Sequence, residues 1–205
     1  METLSRHLRW GVIILAAGAS RRMGKAKMLL PWERTTVLGH VIALGRQLPR
    51  PQVTVVIAAG ATDILVELRR VRLPASAQII NPNPSRGMFS SVRCAAQWEG
   101  WRPHLTHWMI MLGDQPHLQP RTVRLLGKFA AEHPQSICQP ARRSRPRHPV
   151  VLPAAAFRDL AASAHPTLRH FLNAHANEVK LLEIDDPAVD SDLDTPEDYQ
   201  RLITV

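Results

Sequence analysis

An α/β fold with a doubly wound, mostly parallel sheet in a single domain is the class that the sequence predicts. Apolar runs of strand length alternate with segments of helical period along most of the chain. Several of those runs are apolar throughout, as in strands covered on both faces. The 205 residues, at roughly 100 to 200 per domain, contain no linker long enough to divide them.

Taken in order, residues 11–16 form a buried strand that ends in a small-residue turn, and residues 37–48 have helical period. A strand over 53–59 precedes a helix over 62–71, and a strand over 77–80 precedes a helix over 88–98. Residues 108–112 are another buried strand. Residues 120–132 are a helix opened by Pro120, whose missing N–H costs nothing at the first helical position. A short strand over 137–139 leads into residues 140–149, whose prolines and arginines predict an irregular basic loop inserted over the rim of the sheet. A strand over 150–152, a helix over 155–162, a helix over 168–176 and a strand over 179–184 follow. An acidic turn then leads to a short helix beginning at Pro196. One domain spans 1–205, with 1–10 as an N-terminal extension.

Composition excludes several classes. Hydrophobic residues at 45% and charged residues at 21% are ordinary globular proportions. The longest apolar or small run, 12–19, is far short of the ~20 residues a membrane helix needs. Arg6, His7 and Arg9 before that run, with Ala17-Gly18-Ala19 at its end, imitate a secretion signal, but a first strand and its turn explain them better. Cys94 and Cys138 lack C-x-x-C spacing and are expected to be small buried hydrophobes in a reducing cytoplasm. The charge of +9, from 26 Lys+Arg against 17 Asp+Glu, calls for an anionic partner. It is spread along the chain apart from Arg142, Arg143, Arg145 and Arg147, and aromatics are only 5%, which argues against a nucleic-acid groove. His104 and His107 lack a third metal ligand, while His165, His170 and His175 rotate around a helix and are expected at the surface. Trp98, Trp101 and Trp108 are expected to pack.

Chemistry concentrates in three places. Residues 15–27 leave the first strand as a loop of small residues, through which backbone N–H groups can approach phosphates, and Arg22 and Lys27 are cations able to neutralise a triphosphate. The loop is not a Walker motif, because Gly18 and Gly24 enclose five residues and Lys25 is followed by Ala26. It also reads as an ordinary loop with solvated cations. Asp114 directly follows a buried strand, where a carboxylate can face the crevice and hold Mg²⁺, or can merely open a turn. Asp190, Asp192 and Asp194 alternate ahead of Pro196, where an acidic metal site competes with helix capping by Thr195 or Asp194.

The opening LAAGASRRMGKAK, the central LGDQP and the closing DLDTPED together resemble the MobA-like nucleotidyltransferases, and most closely their molybdenum cofactor cytidylyltransferase branch, over residues 11–202. The resemblance implies a Rossmann-like sheet and Mg²⁺-dependent joining of CTP to a molybdopterin acceptor, with loss of pyrophosphate. It implies triphosphate binding and transition-state stabilisation by Arg22 and Lys27, and Mg²⁺ held by Asp114 with Asp194 as second carboxylate. Nucleotide contacts are implied at Leu15, Ala16, Ala17, Gly18, Asn81, Gly87, Ser90 and Ser91, and acceptor contacts at Gln115, Pro116, His148 and Pro149. Guanylyl relatives usually carry glycine where Ala17 stands, which favours cytidine. Arg145-Pro146-Arg147 replaces the glycines usual before the family's G-H-P-V element, and 165–170 replace its G-D-x-G-A-R stretch, so the acceptor side departs most. The rival readings are transfer from GTP or to another phosphorylated acceptor, and a catalytically weak carrier that brings the pterin to a molybdoenzyme partner through the 142–147 loop.

Overall fold

The computed structural model describes residues 8–18, 26–191 and 193–203. Strands β1 (Trp10–Leu15), β4 (Gln52–Ala58), β5 (Gln78–Asn81) and β6 (His107–Leu112) share one sheet with β7 (Ile137–Arg142), β8 (Arg145–Pro146), β9 (Val150–Pro153) and β10 (Val179–Glu183). A separate two-stranded hairpin joins β2 (Pro31–Trp32) to β3 (Thr35–Thr36). The sheet order is β5-β4-β1-β6-β9-β7-β10, with β8 paired to β7. β1 runs parallel to both β4 and β6, and β10 runs parallel to β7, whereas β9 is antiparallel to β6 and β7.

Strand side chains alternate between two cores. Val12 and Ile14 of β1 face one layer with α1 (Val37–Gly45), α2 (Thr62–Arg70) and α4 (Pro120–Glu132). Ile13 and Leu15 face the other, with α3 (Met88–Ala96), α5 (Ala154–Ala162) and α6 (Leu168–Ala174). Coverage on both faces is why these strands read as continuous apolar runs. Trp108 stacks on Phe157 at 4.2 Å and Trp98 meets Trp101 edge-on at 5.1 Å, so the tryptophans pack as expected. No described helix is long and apolar enough to cross a membrane.

The 140–149 segment corrects the sequence reading. It is not an irregular insertion: β7 continues through Pro140 to Arg142 and turns back into β8. Arg143 and Ser144 both have positive φ, and the Glu183 carboxylate accepts their N–H groups at 2.5 and 3.3 Å. The N-terminal extension also ends earlier than residue 10, since Trp10 already pairs with His107.

α1 begins at Thr36, which accepts from the Gly39 N–H at 3.0 Å and donates its hydroxyl to Glu67 at 2.5 Å. Arg70 grips the same buried carboxylate with two bonds of 2.7 Å. Burial works against ionisation of Glu67, yet the Arg70 and Thr36 bonds outweigh it and hold the carboxyl below its ordinary 4.5. A depressed carboxyl pKa contributes stability above the unfolded value and loses it as pH falls through the folded one. Glu67→Gln is therefore expected to cost on the order of 1–3 kcal/mol at pH 7, as for bonds to a charged group. The deficit in Tm against wild type should narrow as pH drops below 4.5, which thermal melts across that range would measure.

Candidate active site

β1 and β6 lie side by side and end in register at Leu15 and Leu112, with β4 on the far side of β1. Chain excursions that leave in opposite directions from neighbouring parallel strands open a crevice at their carboxyl ends. Gly113 closes that edge by donating its N–H to the Leu15 carbonyl at 3.0 Å. A Cβ at Gly113 would stand 2.8 Å from the same oxygen, so only glycine permits the approach that delivers Asp114 to the crevice.

Lys27 opens a single 3₁₀ turn, Lys27–Leu29, directly after Ala26. Its Nζ lies 2.5 Å from Asp114 Oδ2 and 3.1 Å from Asp194 Oδ1, joining three residues that are remote in sequence. The lysine side chain is only 10% exposed. Burial penalises the ammonium, but the two carboxylates outweigh it and hold Lys27 above its ordinary value. The acidic run of the C-terminal region is divided between two tasks. Asp190 is clamped by Arg142 and Arg147 at 2.6 Å each, and Asp194 turns to Lys27. Arg22 and Asp192 lie outside the described residues.

The capping alternatives are resolved by Asp198. Thr195 accepts from the Asp198 N–H at 3.2 Å, and the Asp198 carboxylate accepts from Thr195 N–H at 3.0 Å, a reciprocal cap for α7 (Pro196–Ile203). Asp194 is thereby not required as the cap. Its neighbour Leu193 is buried with Trp32 and Val37 in a small cluster apart from the two main cores, and the Tyr199 hydroxyl donates to the Pro31 carbonyl at 2.6 Å.

On the nucleotide side, Leu15 ends β1 and the Ala16 N–H is spent on the Val56 carbonyl at 2.8 Å, so Ala17 and Gly18 are the first loop residues beyond the sheet. Asn81, at the end of β5, is buried and donates to Ser90 and Ser91 at 2.8 and 2.9 Å while accepting from the Asn83 N–H. It organises the loop from within. Gly87 supplies the positive φ, +87°, from which α3 starts. Ser90 is half-buried and Ser91 buried.

On the acceptor side, Gln115 and Pro116 are buried directly after Asp114, and a cis His148–Pro149 bond precedes β9. His148 Nε2 is buried with no hydrogen-bond partner among the described residues. Burial pushes its pKa down to about 4, against the pull of Asp114, which places His148 in the field of that carboxylate. Elsewhere, Cys138 is buried as expected but Cys94 is only half-buried. His165 and His175 depart from the surface reading by resting against Phe171, while Thr167 caps α6 by accepting from His170 N–H. His107 is buried and hydrogen-bonded to the Pro134 carbonyl. Sequence reasoning missed the Asp190 clamp, whose only sequence signal was the arginine pair in the 142–147 run.

The arrangement gathers a buried cation and two hard oxygen donors beyond the carboxyl ends of β1 and β6, a set suited to handling phosphates. Residues 12–179 match the MobA-like NTP transferase domain family. Molybdenum cofactor cytidylyltransferase of Escherichia coli (strain K12) is 26% identical over 188 residues, covering 91% of this chain and 92% of that protein. The crystal structure of Rv0371c from Mycobacterium tuberculosis H37Rv shares 27% identity at a TM-score of 0.79, covering 97% and 98% of the two chains. A manganese complex of Rv0371c aligns at 24% identity and a TM-score of 0.70, over 96% and 98%. With a Rossmann-like sheet and a domain match over most of its length, the chain belongs to the MobA-like NTP transferase domain family and is a nucleotidyltransferase.

Proposed function

We propose that the protein transfers CMP from CTP to the terminal phosphate of a molybdopterin-type acceptor. An acceptor phosphate oxygen attacks the α-phosphorus, the bond from that phosphorus to the bridging oxygen of the β-phosphate breaks, and pyrophosphate leaves. The observation that carries this reading is the convergence of Lys27, Asp114 and Asp194 at the carboxyl ends of β1 and β6. Phosphoryl transfer needs positioning and charge stabilisation more than a covalent nucleophile. Arg22 and Lys27 bind the triphosphate, and the loop from Leu15 through Gly18 with Gly87, Ser90 and Ser91 holds the nucleotide, braced by Asn81.

Two carboxylates already converging on one ammonium fit a divalent cation, and hard oxygen donors suit Mg²⁺. Bound there, Mg²⁺ would supply charge neutralisation at the phosphates. The manganese complex of the mycobacterial relative supports the same reading. Gln115, Pro116, His148 and Pro149 form the acceptor wall, where the neutral His148 offers a hydrogen bond and no charge. The Escherichia coli relative supports a molybdopterin acceptor, and a molybdoenzyme in the cytoplasm is the destination of the product. The carrier reading is weakened, because Arg142 and Arg147 are spent on Asp190.

Pyrophosphate release from CTP, Mg²⁺ and molybdopterin tests the proposal. Release that needs the acceptor is expected, and binding without release would favour the carrier. CTP with Mg²⁺ is also expected to raise Tm more than GTP or ATP, since Ala17 and the Ser90-Ser91 pair present short side chains suited to a pyrimidine edge. Equal shifts would defeat the cytidine assignment.

A further inference from the structure

We propose that the cleft along the outer side of α3 is a second anion site, separate from the triphosphate site, which binds the phosphate group of a small molecule. The cleft, about 360 Å³, runs between α3 and the loop after α5, and Arg86, Arg93, His165, Asn83 and Ser90 are among its walls. That volume lies in the range of small-ligand pockets. No aspartate or glutamate lines it.

The decisive group is Arg93. Its Nε is buried with no hydrogen-bond partner among the described residues, a costly state for a cationic donor. Some guanidinium groups are paired with carboxylates, Arg70 with Glu67, Arg142 and Arg147 with Asp190, and Arg201 with Asp198, while exposed ones such as Arg50 and Arg72 are not, among the described residues. Arg86 and Arg93 form no ion pair among the described residues, yet both face one cleft. Two guanidinium groups with no counter-charge match a dianion better than a single carboxylate. Their planar forks suit phosphate oxygens. The cleft shares Asn81 and Ser90 with the nucleotide loop, but neither Lys27 nor Asp114 lines it, so filling it does not require Lys27.

Titration calorimetry of the full chain with inorganic pyrophosphate tests this, with CMP as a second arm. One binding event is expected to survive Lys27→Ala and to weaken at least tenfold in Arg93→Gln. Arg86→Gln, at an exposed position, is expected to weaken the same event and keeps the test alive should Arg93→Gln fail to fold. Tighter binding of pyrophosphate would identify a free anion as the occupant, and tighter binding of CMP an ester phosphate; either supports the site. Wild-type affinity in both arginine variants, or loss of all pyrophosphate binding in Lys27→Ala, overturns it. CTP turnover, measured separately, reports on the transferase reading alone.

Discussion

Replacing Lys27 by alanine is expected to lower kcat for pyrophosphate release by roughly 10²–10³, the effect of losing one preorganised electrostatic stabiliser. Lys27 holds Asp114 at 2.5 Å and Asp194 at 3.1 Å. Without its ammonium two like charges face each other, so the variant should also lose stability in the absence of metal and recover part of it when Mg²⁺ is added. Melting with and without Mg²⁺, beside turnover, separates the two effects. A kcat near wild type would mean that the lysine merely bridges two carboxylates.

The two carboxylates should behave as one unit. Asp114→Asn or Asp194→Asn is expected to cripple turnover and to raise the Mg²⁺ concentration required, while the double variant costs little more, because a site that has lost one ligand has already lost its geometry. Asparagine preserves shape while removing charge. Since Thr195 and Asp198 cap α7 between themselves, Asp194→Asn should leave the helix intact. An unchanged Mg²⁺ titration in the Asp194 variant would remove that residue from the site.

Much of this architecture was legible because the physics is local. Pro120 opens α4 as expected, and the runs that became β1, β4 and β6 are apolar because both faces are covered. What escaped depends on tertiary context. The direction of β9 cannot be read from the apolar residues 150–152. The β7–β8 hairpin hid because Arg143-Ser144 carries none of the Asn-Gly signal that such turns usually need. Pro140 looked like a breaker, yet β9 pairs with β7 at Cys138, so the missing N–H falls beyond that contact. In the site, Lys27, Asp114 and Asp194 were all nominated from sequence, but spacing alone left Asp194 divided between cap and site; the structure caps α7 with Thr195 and Asp198 and turns Asp194 to Lys27.

The cluster of Trp32, Val37 and Leu193 fastens the segment bearing Asp194 to the hairpin that follows Lys27. It buries much less apolar surface than either face of the sheet, so less free energy is needed to open it than to unfold the domain. With Asp194 in its proposed role, catalytic competence and global folding answer to different equilibria. On warming, the stretch 193–203 is expected to detach first, with its amides exchanging ahead of those in β1 and turnover lost while the sheet is still whole, as hydrogen exchange beside an activity assay would measure.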